Sequence, residues 1–168
     1  MDRRSFVAAV GVFTASTAVA QQQSLRSKII GLWSLMDAFT VAGDVVEPWF
    51  GRRTPITGVI AYHENGMMSV QISGSKPSDI SRSDFKASAT ERKFEFLKEY
   101  YAYYARFEVD EPTSTVTHHI IDSLLPYERN TTVKRKLELI GDVLTSITAP
   151  REEDGRTTFN RLIWRRTA

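Results

Sequence analysis

The chain has 168 residues, a formal net charge of +2, nine Gly, six Pro and no Cys. This length suits one globular domain with a hydrophobic core. A chain without Cys has no disulfide, no thiolate metal site and no cysteine nucleophile. The nearly balanced charge argues against a dedicated nucleic-acid-binding protein, because such proteins concentrate basic residues. The composition therefore predicts an ordinary folded domain and leaves its function open.

Residues 1–20 have the three parts of a secretory signal peptide. Arg3-Arg4 forms a basic start, a short apolar run follows, and the segment ends in the small residues Ala18-Val19-Ala20. The apolar run is too short for a membrane span, which needs about twenty residues. The arginine pair is similar to that of twin-arginine export signals, and a general secretory signal is the alternative. We therefore expect cleavage, a mature domain at residues 21–168, and a periplasmic or secreted protein.

The first half of the mature chain predicts short strands joined by tight turns. Residues 29–39 form a strand-like run, and residues 43–49 form a weaker one. Residues 56–63 and 67–73 flank Asn65-Gly66, which is a strong hairpin signal between apolar runs. Strict alternation along the first strand places five residues on one face, namely Gly31, Trp33, Leu35, Asp37 and Phe39.

One short helix is predicted after a polar loop at residues 74–87. Ser88 and Glu91 have the spacing of a capping box, in which the Ser hydroxyl and the Glu carboxylate satisfy free backbone N–H groups. Apolar residues then recur at helical spacing until about Glu99, where the pattern changes to a period of two. The sequence therefore predicts a helix that starts at Ser88 and ends near Glu99.

The second half of the chain predicts five more strands, which cover residues 100–110, 114–122, 132–140, 143–148 and 157–166. The connections are short enough for an antiparallel meander, and a twisted meander removes its exposed edges by closing into a barrel. The predicted fold is therefore all-β, an antiparallel up-and-down β-barrel of about 8–10 strands with one short helix. The interior of such a barrel is filled by side chains or holds one small ligand.

Several segments of the chain resemble one known family. The first is Gly31-Leu32-Trp33, and the others, in chain order, are Gly58–Tyr62, Gly66–Gln71, Tyr103–Phe107, Val116–His119, Leu125-Pro126, Arg135, Gly141–Thr145 and Leu162–Arg166. The first segment is similar to the G-x-W signature of lipocalins, and the ordered set resembles the bacterial and fungal lipocalin-like domain family. The resemblance implies a lipocalin-like β-barrel in which Trp33 closes one end and Arg166 packs on it. It implies little about activity, because related barrels serve both as carriers and as enzymes.

Alternation also places a polar group inside the predicted barrel. His118 shares a face with Val116 and Ile120, and both Tyr103 and Arg135 face inward on the neighbouring strands. A buried Arg needs an internal acid or an anionic ligand as its partner. These side chains suit recognition of a carboxylate, enol or carbonyl group, or they bond one another and fix the strand register. The candidate ligand-binding residues are Tyr62, Ser69, Gln71, Tyr101, Tyr103, Phe107, His118 and Arg135, with Trp33 adding to the aromatic wall.

Two functions of different kinds fit this pattern. The favoured one is a non-enzymatic binding protein that holds a small hydrophobic or amphipathic molecule in the barrel. The alternative is a barrel enzyme, such as an isomerase or cyclase, with His118 as general acid/base and Tyr103 polarising an oxygen. No metal is expected, because His118 and His119 point to opposite faces of a strand, and no motif indicates a cofactor. We also expect no nucleic-acid partner and no membrane span after signal cleavage.

Overall fold

A computed structural model of the chain describes residues 23–49, 56–74, 81–98, 100–153 and 155–167, and only the backbone of residues 95 and 96. The predicted signal peptide, residues 1–20, lies outside the described residues. The strands are β1 Gly31–Ala42, β2 Val45–Pro48, β3 Thr57–Tyr62, β4 Met67–Ser73, β5 Tyr100–Asp110, β6 Thr115–Ser123, β7 Thr132–Ile140, β8 Val143–Thr148, β9 Arg151–Glu153 and β10 Arg156–Arg166.

These strands close into an antiparallel barrel. Eight of them follow one another around it in the order β1, β3, β4, β5, β6, β7, β8 and β10, and β10 pairs with β1 to close the ring. The closing register runs from Trp33 opposite Arg166 to Ala42 opposite Thr158. The short strands β2 and β9 extend the sheet beside β1 and β10. The prediction of an all-β, up-and-down barrel is therefore confirmed.

The alternation predicted for the first strand is wrong beyond Leu35. The pairing of β1 with β10 shifts between Leu35 and Asp37, which is a β-bulge at Met36. An extra residue at a bulge reverses which side chains face the core, because side chains alternate with a period of two. Ala38 is consequently buried at 1% exposure, whereas Asp37 and Phe39 are only half-buried.

The helices also differ from the prediction of one short helix from Ser88 to Glu99. The described residues contain three short α-helices, α1 Leu25–Ile29, α2 Arg82–Ala87 and α3 Thr90–Leu97, and a 3-10 turn at Pro126–Glu128. Ser88 ends α2, and its hydroxyl donates a hydrogen bond to the carbonyl oxygen of Asp84 at 2.8 Å. The N-cap of α3 is Ala89, which makes no side-chain cap. The predicted capping box therefore does not form, because its Ser already serves the preceding helix.

One end of the barrel is closed by α1. Trp33 is fully buried there, and its indole Nε1–H donates to the carbonyl oxygen of Ile29 at 2.8 Å. The Arg166 guanidinium lies 4.1 Å from the centre of the Trp33 ring and donates to the carbonyl oxygens of Ile30, at 3.0 Å, and Lys28. Tryptophan and arginine thus hold the last carbonyls of α1, which fixes the helix across the barrel end.

No helix in the described ranges is both long and apolar enough to cross a membrane.

Candidate ligand-binding site

A cavity of about 780 Å³ occupies the barrel interior on the side away from α1. Its deep wall is apolar and buried, and the rim includes exposed residues such as Tyr127 and Lys134, so the cavity opens at that end. Volumes of about 300–1,000 Å³ are typical of small-molecule sites, and so is a mostly apolar wall with a few polar groups. The residues of the apolar wall are Ile60, Val70, Ile72, Leu162 and Trp164.

Three buried side chains form a hydrogen-bonded group on one side of the cavity, which we call the Tyr–His–Tyr cluster. The Tyr103 hydroxyl lies 2.7 Å from His118 Nδ1, and the Tyr62 hydroxyl lies 3.0 Å from His118 Nε2. Strands β3, β5 and β6 supply one residue each, and all three residues line the cavity. Both ring nitrogens of His118 are therefore bonded to protein hydroxyls, which leaves the two tyrosines to meet a ligand.

Burial sets the charge of this cluster. It holds the pKa of His118 well below the ordinary value of 6.5, and the charge of Arg135 lowers it further. Burial also raises the pKa of Tyr62 above its ordinary value and raises that of Tyr103 to about 12. The imidazole and both phenols are consequently neutral at pH 7. One imidazole nitrogen then donates its hydrogen bond while the other accepts.

This neutral imidazole predicts a loss of stability in acid. The unfolded chain binds a proton at His118 below about pH 6.5, whereas the folded chain does not until its lower pKa is reached. The stabilisation is therefore complete above pH 6.5 and falls by about 1.4 kcal/mol per pH unit below it. Urea unfolding at several pH values checks this, because His118→Gln is expected to flatten the slope below pH 6.5. The exposed-histidine control His63→Gln is expected to keep it, and equal slopes for all three proteins would contradict a buried neutral His118.

Arg135 is a positively charged residue whose charge acts on several groups of the site. It lies half-buried on β7, lines the cavity, and donates from Nη1 to the carbonyl oxygen of Lys134 at 3.0 Å. Its positive charge lowers the pKa of each of four neighbours, namely Tyr62, Tyr101, Tyr103 and His118. Among the described carboxylates, none lies within the 4.0 Å of a salt bridge to Arg135.

A carboxylate and its two hydroxyl donors lie nearer the rim. The Tyr101 hydroxyl donates to Glu128 Oε1 at 3.2 Å, and the Ser123 hydroxyl donates to Glu128 Oε2 at 2.9 Å. The Tyr101 ring also packs edge-on against Trp49, with ring centres 5.4 Å apart. Each oxygen of Glu128 thus already accepts one hydrogen bond. The charged residues of the cavity lining are Lys98, Glu128, Lys134, Arg135, Arg151 and Glu153.

Five of the eight predicted ligand-binding residues line the cavity, and three do not. Ser69 and Gln71 alternate along β4 with the buried Val70 and Ile72, so they lie on the outer face of the barrel. The prediction that Ser69 and Gln71 line the barrel interior is therefore wrong. The five that line the cavity are Tyr62, Tyr101, Tyr103, His118 and Arg135.

Phe107 faces inward but lies below the cavity, toward α1. Its ring packs edge-on against Tyr62 at 4.9 Å between centres, and the Arg26 guanidinium lies 4.7 Å from its centre. Trp33 likewise packs at the α1 end and is not part of the cavity wall. Both aromatic side chains form the floor of the barrel, so the expectation that they form the walls of the site is wrong.

Sequence reasoning missed a polar group on β10. The Trp164 indole Nε1–H donates to the Ser146 hydroxyl at 3.1 Å, and Asn160 Oδ1 accepts from the Thr40 hydroxyl at 3.1 Å. Trp164, Ser146 and Asn160 all line the cavity opposite the Tyr–His–Tyr cluster. The signal was present in the sequence, because Asn160 shares the alternation of Leu162 and Trp164.

The described residues contain no group of three or more His, Asp or Glu side chains that is placed to hold a metal ion. The cavity presents hydroxyl, imidazole, indole, guanidinium and carboxylate groups around an apolar space. Such an arrangement suits a molecule that has one polar end and an apolar body.

Comparison with known proteins agrees with the barrel seen here. A family model described as a lipocalin-like domain matches residues 30–167. None of the curated proteins matches the chain. Among solved structures, a redesigned β-barrel is similar with 14% sequence identity and a TM-score of 0.40, covering 87% of this chain and all of that one. Because the family model spans most of the sequence and the strands close into a barrel, the chain belongs to the lipocalin-like domain family.

Proposed function

We propose that the chain is an exported lipocalin-like protein that binds one small, partly hydrophobic molecule inside its barrel. The observation that carries the proposal is the cavity of about 780 Å³, whose deep wall is apolar and whose lining includes the Tyr–His–Tyr cluster and Arg135. An amphipathic molecule would bury its body against Ile72, Leu162 and Trp164. Its polar end would meet Tyr103 and Arg135. Export rests on the signal-like sequence of residues 1–20.

A neutral fluorescent probe, N-phenyl-1-naphthylamine, tests binding in the cavity. We expect the wild-type protein to bind one probe molecule with a blue shift and an increase of fluorescence. Val133 lines the cavity from β7, so Val133→Trp fills part of the space and is expected to weaken binding at least tenfold. Glu138→Trp places the same side chain on the exposed face of β7 and is expected to leave binding unchanged.

Thermal unfolding of both variants accompanies the titration, because only folded proteins can be compared. A wild-type protein that does not bind the probe would contradict the proposal. Equal binding by Val133→Trp and Glu138→Trp would also contradict it, since the probe would then bind outside the barrel.

A barrel isomerase or cyclase is the second candidate, and the Tyr–His–Tyr cluster is the observation that favours it. A proton can pass between Tyr103 and Tyr62 through His118, because each hydroxyl bonds one ring nitrogen. In that case Tyr103 touches the substrate oxygen, and His118 is a positioning residue behind it. The binding protein is better supported, because His118 already uses both nitrogens within the protein. A ligand recovered chemically unchanged after incubation distinguishes binding from turnover.

A further inference from the structure

The charge distribution around the cavity points to the chemical class of the ligand. Arg135 is the half-buried cation of the cavity lining, whereas the other lining cations, Lys98, Lys134 and Arg151, are exposed. Arg135 shares the lining with the neutral Tyr62, Tyr101, Tyr103 and His118, and its charge lowers the pKa of each. A partly buried guanidinium loses hydration, and this loss is offset only by an anion or by several hydrogen-bond acceptors. Lys134 O supplies one acceptor, from the backbone. Most N–H groups of the Arg135 guanidinium therefore have no hydrogen-bond acceptor among the described residues and are left for other partners.

Two described carboxylates line the cavity. Glu153 pairs with Arg151, and the other carboxylate is that of Glu128. Its two oxygens accept from Tyr101 and Ser123. Its charge raises the pKa of Tyr101 and Tyr103, whereas no such effect of Glu128 reaches Tyr62 or His118. The hydrogen bonds to Tyr101 and Ser123 hold the Glu128 carboxylate, whereas the Tyr–His–Tyr cluster makes no hydrogen bond to it. The place for an anion is therefore beside this cluster and Arg135. An anion placed there is attracted by Arg135 and lies farther from Glu128.

The hydroxyl of Tyr103 lies beside this position and supports the same conclusion. Burial raises the pKa of Tyr103 to about 12 despite the opposing charge of Arg135, so the phenol keeps its proton and can act as a hydrogen-bond donor. When His118 Nδ1 carries the imidazole proton and donates to the Tyr103 oxygen, the Tyr103 O–H is free for a ligand. The guanidinium and this phenol then offer several N–H groups and one O–H group to two oxygens. A carboxylate matches this pattern, because it accepts two parallel hydrogen bonds from Arg. A neutral amide presents one acceptor oxygen, and an ammonium group presents none.

From these observations we infer that the ligand of the barrel is an amphipathic carboxylate, whose carboxylate binds Arg135 and Tyr103 and whose apolar chain lies against Ile72, Leu162 and Trp164. This inference rests on the proposed binding function. It makes Arg135 the residue that determines specificity for charge. The apolar wall determines affinity for the chain.

A competition experiment tests the inference with three ten-carbon compounds, decanoate, decanamide and decylamine, each kept below its critical micelle concentration. Each compound displaces bound N-phenyl-1-naphthylamine from the folded wild-type protein. We expect decanoate to compete about tenfold to a hundredfold better than decanamide, which is the range for hydrogen bonds to a charged group. Decylamine is expected to compete least, because it meets the positive charge of Arg135.

Two variants with the same loss of charge separate a local effect from a general one. Arg135→Met is expected to lose the preference for decanoate over decanamide, with both competitors measured against the variant's own affinity for the probe. Arg106→Met removes an exposed arginine from the outer face of β5 and is expected to keep the preference. Arg135→Lys is expected to keep part of it, because the charge remains while the two-pronged donor is lost.

The inference and the proposed function fail in different ways. If the wild-type protein does not bind the probe, the binding function itself is wrong. If the probe binds but decanoate and decanamide compete equally, the function stands and the inference is overturned. A preference for decanoate that persists in Arg135→Met would also overturn it, since another group would then recognise the charge.

Discussion

Replacing Trp33 by alanine is expected to lower the free energy of unfolding by about 3–5 kcal/mol, the range for a large aromatic removed from a core. Trp33 is fully buried, its indole N–H bonds the carbonyl of Ile29, and its ring supports the Arg166 guanidinium. The substitution removes all three interactions at the end that α1 closes. Denaturant unfolding of wild type and variant measures the change.

Met36→Ala is the matched control for Trp33→Ala. Met36 lies on the same strand, at the bulge, and is 45% exposed, so we expect a change of at most about 0.5 kcal/mol. Trp33→Phe tests the indole N–H by itself if the alanine variant does not fold. It keeps an aromatic ring but loses the bond to Ile29, and we expect a loss of about 1 kcal/mol or more. A loss below 1 kcal/mol for Trp33→Ala would contradict the role assigned to the closed end.

Replacing His118 by leucine is expected to lower the free energy of unfolding by about 2–6 kcal/mol. His118 is buried at 1% exposure, and its two nitrogens bond the hydroxyls of Tyr62 and Tyr103. Leucine fills a similar volume but leaves two hydroxyls without that partner, at about 1–3 kcal/mol each. Urea unfolding at pH 7.5 measures the change without the contribution from histidine titration.

A triple variant separates lost hydrogen bonds from lost packing. Removing both partners of a buried hydrogen bond costs less than removing one, because no polar group is left unsatisfied. We therefore expect Tyr62→Phe, Tyr103→Phe and His118→Leu together to be at least about 1 kcal/mol more stable than His118→Leu alone. His119→Leu is the control, since His119 is on the outward-facing side of β6. A triple variant no more stable than His118→Leu would show that packing, and not the cluster, accounts for the loss.

The period of two was enough to predict the barrel and much of its interior. On β5 and β6 it places Tyr103, Phe107 and His118 inward, and the burial of these residues agrees. On β4 the same alternation indicates that Ser69 and Gln71 face outward with Met67, because Val70 and Ile72 occupy the apolar face. Polarity and strand membership alone place these two residues in the site, whereas the alternation along β4 places them outside it.

Other errors have causes that a pattern of alternation does not contain. The bulge at Met36 depends on how β1 pairs with β10, more than a hundred residues away. Height along the barrel axis is also set by pairing, so alternation alone did not separate Phe107, on the floor, from Tyr103, in the cavity wall. Ser88 fits two patterns, the end of α2 and the N-cap of the next helix. Its hydroxyl bonds Asp84 of α2, so no capping box forms. A sequence pattern thus predicts which side chains of a strand face the core. It does not predict which residues of two distant strands pair.

A crystal structure of the protein grown with decanoate tests the central claim most directly, because it locates the ligand and its polar end at once. The account predicts one decanoate in the barrel cavity. Its carboxylate is expected within hydrogen-bond distance of the Arg135 guanidinium and the Tyr103 hydroxyl, with its chain against Ile72, Leu162 and Trp164. An empty cavity at saturating decanoate, or a decanoate bound with its carboxylate away from Arg135, would contradict it.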